Sequence, residues 1–238
     1  MSVNSQPSEM LILAGGFGTR LKSVVSDVPK PMAPVAGRPF LAYLLDYWIG
    51  QGIQRFVIST GHLASVIESH FGNTYRSASI TYVHEQFPLG TGGALRLALN
   101  SVTWANELAL MANGDTWFPV QLQQLCADAV QQGTPITLAL KRLEKNDRYG
   151  GVAIGAEGQI TAFGEKATGG SYINAGCYLF NVSAIKKAFA GMSATFSLEN
   201  DFLVPFASQG FVGSSIQDQP FLDIGIPEDY QRASVFLK

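Results

Sequence analysis

Cysteine, histidine and charge are all scarce in this chain. Its 238 residues include 2 Cys and 3 His, and Asp, Glu, Lys and Arg together make up 14%, against about 25% in a typical soluble domain. Cys126 and Cys177 have no metal-type spacing and stand in apolar surroundings, so they read as small core residues rather than a disulfide. His62 and His70 are expected on a helix and His84 at a strand end; the three form no triad or metal arrangement. A formal net charge of −2 excludes broad electrostatic capture of nucleic acid, for which a basic face is expected. No apolar stretch reaches the ~20 residues that span a bilayer. The polar opening, Met1 to Glu9, lacks the apolar segment of a signal peptide. A cytoplasmic protein with no nucleic-acid or membrane partner is expected, with residues 1–9 as a flexible tail.

What is present is a chain of 47% hydrophobic residues with a regular alternation of elements. Met10 to Leu13 reads as a buried strand. Pro39 opens a helix with Leu41, Leu44, Leu45, Trp48 and Ile49 at helical spacing, closed by Gly50 and Gly52. Phe56–Ile58 is a strand, Leu63 to Phe71 a helix, Ile80–Val83 a strand, Gly92–Leu99 a helix and Leu108–Ala112 a strand. Strands separated by single helices imply an α/β fold with a largely parallel sheet, whose ligands collect at the strands' carboxyl ends. After residue 136 the strands (Ile136–Leu140, Val152–Ile154, Ile160–Phe163, Tyr172–Phe180) have shorter connections, Gly155 to Gly158 being a hairpin turn. That half is expected to be mixed or antiparallel and to cover one side of the site. One domain over 10–238 is expected, with 10–135 as one subregion and 136–238 as the other; no hexapeptide repeat follows.

The first strand ends in Leu13-Ala14-Gly15-Gly16-Phe17-Gly18-Thr19-Arg20-Leu21, with Lys30-Pro31 nine residues on. Three glycines in four positions allow a tight turn whose backbone N–H groups can converge on one anion, and Arg20 and Lys30 add two cations. An ordinary turn has no use for that basic pair. Spacing decides which cradle this is. No Lys-Ser or Lys-Thr closes the loop as a Walker A sequence requires. The dinucleotide pattern G-x-G-x-x-G is met at Gly16 and Gly18 but fails at Leu21, and the acidic residue about twenty positions later is missing. A P-loop NTPase and a nicotinamide enzyme are both disfavoured.

Two carboxylates stand at comparable places. Asp115 follows the strand ending at Asn113-Gly114, and Asp223 lies where the apolar run Phe221-Leu222 meets Ile224-Gly225-Ile226-Pro227. Either alone could be a cap or turn former. Together at strand ends they suit Mg²⁺, which takes one or two carboxylates plus substrate phosphates.

The segment Leu13 to Leu21 with Pro29-Lys30-Pro31-Met32 resembles the L-x-G-G-x-G-T-R-L…P-K-P-M signature of the sugar-1-phosphate nucleotidyltransferases. The resemblance runs from Leu11 to Tyr230 with its motifs in family order. It implies the nucleotide-diphospho-sugar transferase fold, a Rossmann-like three-layer sandwich with a mixed, largely parallel central sheet. It also implies that a nucleoside triphosphate and a sugar 1-phosphate give a nucleotide-sugar and pyrophosphate. On this reading Leu13, Ala14, Gly15, Gly16, Gly18 and Thr19 wrap the triphosphate, Arg20 and Lys30 hold its phosphates, and Asp115 and Asp223 hold Mg²⁺. Glu165-Lys166 resembles the family's E-K pair, the glutamate taking a sugar hydroxyl and the lysine the sugar phosphate. Asn113, Tyr149, Gly150, Asn174 and Gly176 line the sugar, Asn174 by hydrogen bonds to the ring and Gly176 by leaving room for it.

Glu85 to Ala94, with Pro88, Gly90 and Thr91, matches the base-recognition loop. Pyrimidine-specific members commonly carry glutamine at the position of Glu85. A carboxylate only accepts, and guanine presents adjacent N1–H and N2–H₂ donors, so the position leans to GTP. The nearest subgroup is the D-glycero-α-D-manno-heptose 1-phosphate guanylyltransferases, which share Asp27-Val28-Pro29-Lys30-Pro31-Met32 and Asp223-Ile224-Gly225-Ile226-Pro227. A uridylyl or thymidylyl transferase, and a non-catalytic nucleotide-sugar sensor, are the alternatives; a homo-oligomer is left open. Ser23 to Asp27 departs from the Pro-Leu-Thr common elsewhere in the family and touches no expected contact.

Overall fold

The computed structural model describes residues 6–16, 27–144, 148–164 and 171–237. Four strands, β1 (Glu9–Leu13), β2 (Arg55–Thr60), β3 (Ala78–His84) and β4 (Leu108–Asn113), alternate with α1 (Phe40–Gly50), α2 (Ala64–Phe71) and α3 (Gly90–Ser101). They then give way to α4 (Leu122–Gln132), β5 (Ile136–Leu143), β6 (Gly151–Ile154), β7 (Ile160–Gly164) and β8 (Ser171–Asn181). The chain continues through α5 (Val182–Ala188), a π-helical stretch Leu198–Leu203 running into α6 (Val204–Ala207), β9 (Val212–Ile216) and α7 (Pro227–Phe236).

With the short strand Thr74–Tyr75 paired to β3, these nine strands form one 10-stranded sheet. β3, β2, β1 and β4 lie side by side and parallel, β1 pairing with β2 through Glu9↔Arg55 to Leu13↔Ser59 and with β4 through Met10↔Leu110 to Leu13↔Asn113. β8 joins antiparallel, pairing Cys177 to Asn181 with β4 on one edge and running along β5 on the other. The chain builds outward from β1 to β3, then returns to the far side of β1 as β4. That reversal makes the carboxyl ends of β1 and β4 the place where a crevice opens in such a sheet. The second half therefore extends the same sheet; it is not a separate cover laid over the site.

Alternation along β1 divides the core. Met10 and Ile12 face one layer with Phe40, Leu41, Leu45 and Trp48 of α1, Ile67 of α2 and Leu125 of α4. Leu11 faces the other with Leu95 and Leu99 of α3, Ile185 of α5, Phe189 and Phe202. Helices on both faces of a mixed, largely parallel sheet are the three-layer arrangement expected from the sequence. Each fully buried side chain of this size contributes about 1.5–3 kcal/mol relative to exposure, so a polar replacement at Trp48, 2% exposed, should unfold the α1 layer. Two details differ from the sequence reading, and the cysteines follow it. His62 lies in the turn before α2, not on a helix, because Leu63 takes a left-handed φ of 61° and the helix starts only at Ala64. Helix α4 is an element the sequence reading does not assign; its charge-poor LQQLCADAVQQ buries Leu122 and Leu125 and packs Cys126 and Ala129 beside them, one apolar stripe on an otherwise polar helix. Cys177 is buried and Cys126 half-buried, both as free thiols.

Candidate active site

The crevice at the carboxyl ends of β1 and β4 is a cleft of about 320 Å³. Its floor is Leu13 to Gly16 and Asn113, one side carries Lys30, Pro31 and Asp115, and the other carries Glu85, Pro88, Gly90, Thr91 and Ala94. Residues that the sequence reading placed in the nucleotide loop and the base loop thus line one space together with Asp115 of the metal pair.

The two glycines of the floor do different things. A Cβ on Gly15 would run into the Glu85 carboxylate, so glycine there makes room for a protein group. Among the described residues nothing lies within 4 Å of the corresponding position on Gly16, which leaves that face to a ligand. Glu85, half-buried at the end of β3, is fixed at both oxygens. Oε1 accepts from the Ser59 hydroxyl at 2.9 Å and Oε2 from the Leu89 backbone N–H at 3.2 Å. A carboxylate offers about four lone-pair sites, so each oxygen retains acceptor capacity toward the cleft. Ser59, fully buried at the end of β2, carries no motif in the sequence. Its only signal is a hydroxyl at a strand's carboxyl end.

Asp115 and Asp223, far apart in the chain, are joined by backbone. A short antiparallel ribbon pairs Asp223 with Thr116 and Leu222 with Trp117, and the Ile224 N–H donates to the Asp115 carbonyl at 3.0 Å. Asp223 Oδ1 accepts from the Gly225 N–H at 2.7 Å. Lys30 comes from a 3₁₀ turn, Lys30–Met32, fixed by Pro29 and Pro31. Its Nζ donates to Asp115 Oδ2 at 2.8 Å with 10% of the lysine side chain exposed. A Cβ on Gly225 would collide with that same Nζ and stand 2.8 Å from Asp223 Oδ1. The ammonium is therefore lodged between the two acid-bearing segments, a place that already accepts positive charge. Among the described residues no cluster of three or more metal-ligating side chains exists. A carboxylate lining the cleft, with a second on the adjoining ribbon, fits a cation that completes its shell with phosphates and water.

On the opposite side of β4, β8 is interrupted. Its pairing with β5 runs from Asn174↔Leu140 straight to Tyr178↔Leu138, leaving extra residues in a bulge. Gly176 sits in that bulge at φ +71°, where a Cβ would strike the Asn113 amide. Glycine here makes room for Asn113. Asn174 is also committed: Nδ2 donates to the Tyr178 hydroxyl at 2.8 Å and to Glu199 Oε2 at 2.9 Å, and Oδ1 accepts from the Gly176 N–H at 3.1 Å. Burial raises the Tyr178 phenol above its ordinary range, with the nearby Glu199 charge adding to it. Tyr149 packs edge-on against Phe221 at 5.6 Å, and a Cβ on Gly150 would lie 3.2 Å from the Gly164 carbonyl oxygen.

The base-loop glycines have a partner that sequence reasoning missed. The Gly92 and Gly93 N–H groups, at the start of α3, donate to the Phe196 carbonyl. A Cβ on Gly90 would strike that carbonyl, and one on Gly92 the Phe196 ring. The Thr91 hydroxyl accepts from the Leu198 N–H at 2.9 Å. Gly18, Thr19, Arg20, Glu165 and Lys166 lie outside the described residues.

Comparison with known proteins agrees with this geometry. A D-glycero-α-D-manno-heptose 1-phosphate guanylyltransferase of Aneurinibacillus thermoaerophilus is 43% identical over 227 residues, covering 94% of this chain and 96% of the relative. One from Campylobacter jejuni is 38% identical over 223 residues, covering 93% and 96%. The crystal structure of HddC from Yersinia pseudotuberculosis complexed with GMP-PN superposes with a TM-score of 0.82 at 31% identity, over 97% of this chain and 100% of that one. The nucleotidyl transferase family model matches residues 9–238. The chain belongs to the nucleotidyl transferase family, with the α/β architecture of the nucleotide-diphospho-sugar transferases, and is an enzyme of the sugar-1-phosphate nucleotidyltransferase type.

Proposed function

We propose that the protein transfers a guanylyl group from GTP to D-glycero-α-D-manno-heptose 1-phosphate, releasing pyrophosphate. The observation that carries this reading is the Glu85 carboxylate facing the cleft with both oxygens pre-oriented, in a chain 43% identical to an enzyme named for that activity. Guanine supplies two adjacent donors to two acceptors. Uracil supplies one N3–H between two carbonyls, which a carboxylate repels.

A phosphate oxygen of the sugar phosphate attacks the α-phosphorus in line, and pyrophosphate leaves. Both reactants are anionic, so catalysis rests on alignment and charge cancellation. Asp115 and Asp223 would hold Mg²⁺, which supplies positive charge at the α-phosphate. Lys30 brings a further positive charge to the same end of the cleft. By family resemblance Arg20 takes the leaving phosphates and Lys166 the attacking one. Gly15 and Gly16 bring backbone close to the nucleotide, while Glu165 and Asn113 face the sugar. No described helix is long and apolar enough to cross a membrane, in keeping with soluble substrates.

The test pairs GTP, UTP, dTTP, CTP and ATP with heptose 1-phosphate and other sugar 1-phosphates, reading pyrophosphate release and product mass. GTP with the heptose 1-phosphate should give the highest kcat/KM. Preference for UTP or dTTP would move the chain to a sister specificity.

A further inference from the structure

Away from the cleft, between α3 and α5, lies a second cavity of about 420 Å³. Arg96, Leu99 and Asn100 of α3 line it, with Lys186 of α5 and Phe189 and Ala190 just beyond. It shares no lining residue with the cleft. Its floor is apolar, since Leu99 and Phe189 are buried, and its rim carries Arg96, Asn100 and Lys186.

The charge of that rim is one-sided. Neither α3 nor α5 contains an Asp or Glu, and the last turn of α5 adds Lys187. A helix's last turn favours cations through its dipole, which accounts for the two lysines. It does not account for Arg96 in the middle of α3. Among the described residues the other half-buried arginines, Arg38 and Arg55, each hold a carboxylate, Asp46 and Glu9. Arg96 holds a neutral group instead: Nη1 donates to the Met192 carbonyl at 2.7 Å, and the guanidinium stands 5.8 Å from the centre of the Phe196 ring. A guanidinium has five N–H donors in a planar fork that matches the oxygens of a phosphate. A half-buried one without a carboxylate, beside a cavity and a lysine, has its charge still to be met.

We propose that this cavity is a second binding site, for a phosphate monoester of a small organic molecule. Arg96 and Lys186 take the phosphate, and Asn100 takes a polar group of the esterified part. The volume falls within the ordinary range of small-molecule pockets, about 300–1,000 Å³, and is more than a bare phosphate fills.

The site reaches the cleft through one segment. Arg96 holds Met192, and Phe189 packs edge-on against Phe196 at 5.0 Å. The Phe196 carbonyl in turn accepts from Gly92 and Gly93, next to the cleft residues Gly90 and Thr91. A phosphate that draws on Arg96 competes with Met192 for it, and so alters how residues 192–196 seat on the base loop. Nucleotide and ester must then change each other's affinity by the same factor. The site itself stands without the guanylyl-transfer reading, whereas the effect on GTP rests on it.

The test is a ¹⁵N NMR titration of the whole protein at constant ionic strength, with inorganic phosphate and, separately, with glucose 6-phosphate, whose phosphate is not at C1. Saturable shifts are expected at the amides of Leu99, Asn100, Lys186 and Ala190, at lower concentration for the ester. Lys186→Gln should weaken that binding about tenfold, the scale of one hydrogen bond to a charged group, with Tm and turnover in the absence of ester unchanged. With the ester at saturation, the Kd for GTP should move about fivefold or more in the wild type and stay put in Lys186→Gln. Shifts that do not saturate, that are confined to Gly15, Gly16 and Asn113, or that are the same in Lys186→Gln would overturn the site. Inorganic phosphate binding as tightly as the ester would overturn the choice of ligand. An unmoved Kd for GTP at saturation would overturn the coupling. Saturable shifts at the second cavity in a protein that binds no GTP would overturn the guanylyl-transfer reading and leave the site standing.

Discussion

Two walls of structure near the cleft each fix a glutamate, and they are built by opposite means. Glu85 ends a parallel strand and is gripped by its neighbours: Ser59 from the adjacent strand and Leu89 four residues along the chain. Glu199 is gripped by a residue in a bulged strand and sits on a π-helical turn docked to α3. The first wall is made by local connections in a regular βα array, the second by contacts between elements distant in sequence. Precise placement of a carboxylate is thus reached through short loops on one side and through irregular backbone on the other. The second route is the more fragile, because a bulge and a π turn have fewer redundant hydrogen bonds than a parallel ladder.

The largest effect should come from the proposed metal pair, which belongs to neither wall. Asp223→Asn keeps shape but removes a charge from the proposed metal pair; removal of one electrostatic stabiliser typically costs about 10²–10³ in kcat. Circular dichroism should be unchanged, and turnover within threefold of wild type would remove Asp223 from the reaction. Next, two glycine replacements should separate the walls. Gly176→Ala forces a left-handed φ and an encounter with Asn113, for about 1–3 kcal/mol of strain and a Tm several degrees lower. Gly16→Ala, with open space around it, should leave Tm unaltered and raise the KM for nucleotide. Equal Tm losses would contradict the contrast.

Glu85→Gln should narrow the preference of GTP over UTP by about 1–3 kcal/mol, the range for a two-point base contact, mostly by weakening GTP. Ser59→Ala should do less, about 0.5–1.5 kcal/mol for one neutral hydrogen bond, and should act on GTP and not on the sugar phosphate. A sugar-phosphate effect would place Ser59 in the other wall. The smallest test concerns the thiols. Burial pushes Cys126 up to about 11 and Cys177 up to about 12, so at pH 8 both stay protonated and alkylate slowly until the protein is denatured. Since their folded pKa values exceed the unfolded one, stability should fall as pH rises from about 9 through 12. Fast labelling of Cys177 in native protein at pH 8 would show that the bulge opens.

How much of this was legible follows the same division. Strands β1 to β4 were readable because runs such as Met10 to Leu13 are buried on both faces, and their Gly, Asp and Asn ends mark turns. Asp115 and Asp223 were readable as acids at strand ends, and the structure adds the ribbon that unites them. Ser59 and Glu199 were not, since a lone Ser or Glu carries no periodic signal and its meaning lies in a partner elsewhere. Gly176 was read for a sugar when its conformation serves Asn113. Helix α4 escaped because its apolar stripe, Leu122, Leu125, Cys126 and Ala129, includes only two large residues and lies among glutamines.

The seat of Phe196 on Gly90, Gly92 and Gly93 bears on how this sequence can drift. A glycine-rich stretch read as ligand contact is also the footprint of a segment about a hundred positions later, so its residues answer to two selections at once. Substituting the stretch to alter base preference would first have to keep the later segment docked, and with it the Glu199 wall. Changes in base preference would then be inherited together with changes in that segment. A redesign that ignores Phe196 to Glu199 should lose the nucleotide where it meant to exchange one base for another.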